Sequence, residues 1–168
     1  MAQQWRSRFL FLRHAWSVMA GSRYWILPIL PLIWLVVQKV YLVINDLNYL
    51  PEEVQGPLIA APLTAIGVFL GMRIIAGEID DRSLEVAYTV PGGPERLWMI
   101  KLSAAMVVLI STEILLALCV WLFFTPFPPG ALYGALQAST FYLILSMALG
   151  TLFRGEAAGA IVTLGILG

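Results

Sequence analysis

The run LSAAMVVLISTEILLALCVWLFF, residues 102–124, is twenty-three residues long and carries one charged side chain, Glu113. A helix rises about 1.5 Å per residue, so this run covers roughly 35 Å, enough to cross a hydrocarbon core about 30 Å thick. Three further runs are of similar character, at 25–44, 57–76 and 132–153. A fifth begins at 157 and is still apolar at Gly168. Twelve residues make only about 18 Å of helix, and Gly165-Ile166-Leu167-Gly168 offers no polar stop. The expectation is a piece cut from a longer protein, with the fifth span unfinished.

The composition agrees. Hydrophobic residues make up 60% of the 168 and charged residues 12%, against about 45–50% and 25% in soluble domains. Too little polar surface remains to cover a globule in water. Disorder is excluded because it needs low hydrophobicity. Ten basic and ten acidic side chains cancel, so bulk charge does not favour nucleic acid. The expected fold is all-α: a polytopic membrane helix bundle with four full spans and the start of a fifth.

Prolines mark the ends and bends. Pro57 opens the second run, and Pro126, Pro128 and Pro129 form the link at 125–130. Pro28, Pro31 and Pro62 lie inside apolar runs, which a membrane helix tolerates when a neighbour satisfies the freed carbonyl.

Orientation follows from Lys and Arg. Arg6, Arg8, Arg13, Arg23, Arg73, Arg82, Arg96, Lys101 and Arg154 fall on one side of the membrane. The opposite loops, 45–56 and 125–130, contain neither residue type. Lys39, near the end of the first run, can snorkel outward or pair with Asp46. The N-terminus is therefore expected in the cytoplasm and the chain in the plasma (inner) membrane. Residues 1–24 read as an interfacial amphipathic helix, with Trp5, Phe9, Leu12 and Trp16 at helical spacing and arginines elsewhere on the wheel. They serve as a simple anchor or as an elbow fixing the tilt of the first span.

Catalytic constellations are missing. The one histidine is His14, and Glu113 is the one carboxylate well inside a span. There is no Gly-x-Ser-x-Gly elbow, and Lys39 and Lys101 follow Gln38 and Ile100, so no phosphate loop forms. Cys119 stands alone, and no Cys/His cluster has metal-ligand spacing. No enzyme, metal or cofactor is expected of the chain itself.

The polar exception is GEIDDRSLEVAYTVPGGPERLWMIK, residues 77–101. Glu78, Asp80 and Asp81 suit the start of a short helix, and Pro91-Gly92-Gly93-Pro94 breaks the chain before the next one. One reading is a solvated loop whose charge keeps it out of lipid. The other is a short surface helix at 78–90, tied at both ends to membrane helices, that can pass on a force. In Glu78, Leu84-Glu85, Thr89, Pro91, Arg96 and Lys101 the stretch resembles the cytoplasmic loop of type-two ABC transporter permeases, as does the order of elbow helix, two spans, loop and further spans.

That resemblance implies a six-span permease half, paired with a second half as a homo- or heterodimer, and docked on a separate cytoplasmic ATPase that binds the ATP. The 78–90 helix becomes the coupling helix of an exporter, with Glu78, Asp80, Asp81, Arg82, Leu84 and Glu85 as docking residues. The alternative is a non-transporting membrane scaffold that uses the same loop as an adaptor. Glu113 is either a contact on the translocation path or a structural carboxylate bonded to Gln137, Ser139 or Thr140. Gly67 and Gly71, four apart, permit close helix approach, as do Gly155 and Gly159.

Overall fold

The computed structural model describes residues 29–80 and 93–167. The surface helix expected at 1–24, and all of the 78–90 helix beyond Asp80, lie outside the described residues. Within them every regular element is helical. α1 is Leu30–Ile44, a π-helical turn at Gln55–Ala60 runs into α2 at Ala61–Asp80, α3 is Gly93–Phe123, α4 is Gly130–Leu152 and α5 is Glu156–Leu167.

Three of these helices, Gln55–Asp80, Gly93–Phe123 and Gly130–Leu152, are long and apolar enough to cross a membrane. Their outward faces are as apolar as their inward ones. Ile110, Ile114 and Leu118 on α3, and Phe141 and Ile144 on α4, are exposed while Leu109, Leu116 and Leu143 are fully buried. A helix apolar on every side belongs in a core or in lipid, which marks a membrane-embedded protein. α1 shows fifteen helical residues, shorter than a crossing; residues 25–28 of that run are outside the described set. α2 is longer than its apolar run. It does not break at Gly77 but continues as helix through Asp80, because Glu78 and Asp80 find partners inside the bundle.

α2 is the central helix and packs most heavily on α4. Gly67 and Gly71 make this possible. A Cβ on Gly67 would stand 2.6 Å from the Ser139 carbonyl oxygen, and one on Gly71 would collide with Ser146 Oγ and the Leu143 carbonyl. The small pair read from the sequence thus faces α4. α4 hides its own hydroxyls from this apolar contact: Ser139 Oγ donates to the Leu136 carbonyl and Ser146 Oγ to that of Leu143, each at 2.9 Å.

The π-helical turn has a local cause. The Ala61 N–H donates to the Gly56 carbonyl, five residues back. The next nitrogen in that register belongs to Pro62 and has no proton. The Pro57 carbonyl it would have met accepts instead from Trp34 Nε1 of α1, at 2.7 Å. Burying a carbonyl with no donor costs about 1–3 kcal/mol, so Trp34 stabilises the bend while joining α1 to α2.

Helix ends follow from capping chemistry. α1 stops where Asp46 takes φ 51° and the Leu47 N–H turns back to the Leu42 carbonyl at 3.0 Å. α4 stops in the same way, with Arg154 at φ 54° and the Gly155 N–H on the Gly150 carbonyl at 3.2 Å. Both have the geometry of a Schellman stop. α3 starts at Gly93, whose φ of +75° is one that side chains rarely adopt. Pro94 and Glu95 then suit the first turn.

At the Phe123 end, Lys39 Nζ donates to the Phe123 carbonyl at 3.0 Å and lies 5.1 Å from the centre of the Phe124 ring. Its partner is the carboxyl end of α3, where helix dipoles attract a cation, and not the Asp46 carboxylate the sequence offered.

Candidate functional site

Polar side chains gather at the other end of the bundle, where α2 finishes and α3 and α5 begin. Glu78 is 7% exposed and Lys101 6%, and Lys101 Nζ lies 2.7 Å from Glu78 Oε1. Trp98 Nε1 donates to Glu78 Oε2 at 2.9 Å. Lys101 also reaches the Ile74 carbonyl, at 3.4 Å. Trp98 and Lys101 are three apart on α3, and Ile74 and Glu78 four apart on α2, so each pair shares one face of its helix. The result is a clamp with two holding points on each side.

Asp80, two residues on, is exposed and turns to another helix. Its Oδ2 accepts the backbone N–H of Glu156, the first residue of α5, at 2.9 Å. Glu156 Oε1 lies 3.7 Å from Arg73 Nε. Gly77 leaves room for that carboxylate, since a Cβ there would stand 2.6 Å from Glu156 Oε1.

Two of the six expected docking residues are therefore occupied within the bundle. Glu78 is turned inward, and its carboxylate balances Lys101. Asp80 remains exposed but caps α5. Asp81, Arg82, Leu84 and Glu85 lie outside the described residues.

Glu113 is 7% exposed, about two thirds of the way along α3. Its Oε1 is buried with no hydrogen-bond partner, and so is Thr112 Oγ1 beside it. The anticipated bonds from α4 are not formed at this oxygen. Ser139 gives its proton to its own helix, and Thr140 Oγ1 faces Met106 Sδ at 3.9 Å. Ser103, Ser111, Ser146, Thr151 and Thr163 each donate to a carbonyl three or four residues back. Among the described residues, Thr112 Oγ1 and Glu113 Oε1, adjacent in sequence, are the buried side-chain oxygens left without a partner.

Among the described residues no group of three His, Cys, Asp or Glu could hold a metal ion. An apolar groove of about 540 Å³ lies between α1 and α2, with Trp34, Pro62, Ile66 and Phe69 in its wall; the Trp34 N–H is already given to Pro57, so the groove fits hydrocarbon.

Sequence reasoning missed Trp98 and Lys101 as partners of Glu78, and Glu156 as a partner of Asp80 and Arg73. The available signal was depth: opposite charges at the same end of neighbouring apolar runs. Compared with known proteins, the chain matches no family model, no curated protein and no solved structure.

Proposed function

We propose that this chain is the membrane-spanning subunit of an ATP-driven exporter, of the type-two ABC permease kind, driven by a separate cytoplasmic ATPase. In this reading the chain is multi-pass in the inner membrane with its N-terminus in the cytoplasm, crosses four times and begins a fifth span, and pairs with a second permease half. The stretch beyond Asp80 is the lever. Asp81, Arg82, Leu84 and Glu85 meet the ATPase, and Glu78 and Asp80 hold the root of the lever to the membrane body.

The observation that carries the reading is the join at that root. α2 runs as helix four residues into the polar stretch, and its last turn is bonded to both α3 and α5. A push on residues 81–92 therefore reaches three membrane helices through hydrogen bonds and an ion pair. Rigid-body motion of packed helices is a known route for such transitions and needs no catalytic group in the membrane. Glu113 supplies the second strand of support. A buried carboxylate oxygen with no protein donor is costly, and a role in contacting translocated solute accounts for its retention.

Co-purification tests the reading. If a neighbouring gene encodes a phosphate-loop ATPase, the chain co-expressed with that subunit is expected to retain it on an affinity column. Charge reversal at Asp81 and Glu85 together is expected to release it. Retention unchanged by the reversal removes those residues from the docking surface.

A further inference from the structure

Glu78 and Asp80 are two residues apart on one helix, so their side chains leave it about 200° apart. That spacing lets the last turn of α2 hold two different helices at once. We propose that this turn is a two-sided junction: Glu78 positions α3, Asp80 positions the start of α5, and a shift of the chain beyond Asp80 moves both. The proposal deepens the transporter reading and rests on it only for the source of the shift.

The α5 side shows most. A helix leaves its first N–H groups without partners in its own backbone. The residue before a helix commonly supplies the cap from its own side chain, as Ser, Thr, Asp or Asn. Before α5 stands Gly155, which has no side chain to offer. The cap comes instead from Asp80, 76 residues away in sequence. A Cβ on Gly155 would stand 3.6 Å from Asp80 Oδ1, so the carboxylate lies over the glycine as a local cap would. Its negative charge also meets the positive end of the helix dipole. Within α5 the Gly159 N–H returns to the Gly155 carbonyl at 3.2 Å, so the helix begins at the residue Asp80 holds. Arg73, on the same side of α2, reaches the Glu156 side chain. Backbone and side chain of one residue are thus both tied to α2.

On the α3 side the clamp has two points on each helix. Turning α2 about its axis would pull Glu78 from Trp98 and Ile74 from Lys101 together. Glu78, Asp80, Lys101, Trp98 and Glu156 are positioning residues in this proposal, since none needs to touch solute.

Hydrogen exchange on the intact protein in lipid nanodiscs tests it, read as peptides covering 155–160 and 96–102. Asp80→Ala is expected to speed exchange at 156–158 about five-fold, the effect of losing a cap, with 96–102 unchanged. Asp80→Asn, which caps equally well, is expected to stay near the parent rate. Glu156→Pro removes the donor while proline suits the first helical position; in that background Asp80→Ala is expected to add nothing at 157–158. Exchange at 156–158 that ignores Asp80→Ala overturns the junction. A second arm adds the ATPase subunit with ATP and vanadate. The parent protein and Asp80→Asn are expected to change protection at 156–158, and Asp80→Ala to lose that response. If Asp80→Ala acts as expected in the first arm and no variant responds in the second, the junction stands and the transporter reading fails.

Discussion

Lys101 and Glu78 meet at 2.7 Å with both side chains buried, joining the first turns of α3 to the last turn of α2. Each charge is tolerable there only because of the other. Removing one partner of a buried pair typically costs about 3–5 kcal/mol, whereas replacing both by apolar groups is often neutral. Glu78→Ala and Lys101→Ala are each expected to destabilise by about 3 kcal/mol in thermal unfolding in detergent. Glu78→Leu with Lys101→Met is expected to regain most of that loss. A double variant as unstable as the summed singles contradicts a mutual ion pair.

The α2–α4 contact depends on two missing side chains. Gly71→Ala meets Ser146 and Leu143, and Gly67→Ala meets the Ser139 carbonyl. Overpacking of this kind costs about 1–3 kcal/mol. Gly130→Ala, with open space around it, is expected to be neutral within about 0.5 kcal/mol. Tryptophan-fluorescence or circular-dichroism melting curves in the same detergent separate the three.

Trp34 and Pro62 act on one carbonyl. Trp34→Phe removes the donor to the Pro57 oxygen and is expected to cost about 1–2 kcal/mol. Pro62→Ala restores a backbone N–H in that place. In the Pro62→Ala background Trp34→Phe is expected to cost less than half as much, a coupling that a double-mutant cycle reads directly. Equal costs in both backgrounds would show that the Trp34 contact is packing alone.

Much of the architecture is legible as hydropathy. The runs at 57–76, 102–124 and 132–153 sit within or across helices long enough to cross a membrane, because transfer of twenty apolar residues into lipid outweighs any local preference. The Gly67 and Gly71 pair is legible for the same reason, as small residues in a span mark close approach. The ends were not. The helix overruns Gly77 because Glu78 and Asp80 are satisfied by Lys101 and Glu156, and those partners are 23 and 76 residues away. Composition places such charges in a loop; tertiary pairing draws them into the helix. The sequence leaves Lys39 to snorkel or to pair with Asp46; the Phe123 carbonyl it meets is a backbone group, which attracts a cation as a carboxylate does but which sequence does not display. Glu113 has two readings, a translocation-path contact or a carboxylate bonded to Gln137, Ser139 or Thr140; that Ser139 gives its proton to its own turn is a competition sequence does not display.

Arg154 holds a left-handed φ of 54° at the end of α4, which costs a side chain of this kind about 1–2 kcal/mol. Arg154→Gly is expected to raise the unfolding free energy by roughly 0.5–1 kcal/mol, once the greater freedom of glycine in the unfolded chain is included. Arg154→Val is expected to lower it, because a β-branched residue fits that conformation worst. Both follow from chemical denaturation of the purified protein.

The lever must lie on the cytoplasmic face for any of the proposed coupling to operate. Cys119 is the one cysteine in the chain, so Cys119→Ser with Glu85→Cys leaves a single thiol on the proposed docking stretch. Its reaction with a membrane-impermeant maleimide is measured in right-side-out and inside-out vesicles. The proposal predicts labelling from the inner face only, and protection of that thiol when the ATPase subunit is bound. Labelling from the outer face would contradict it.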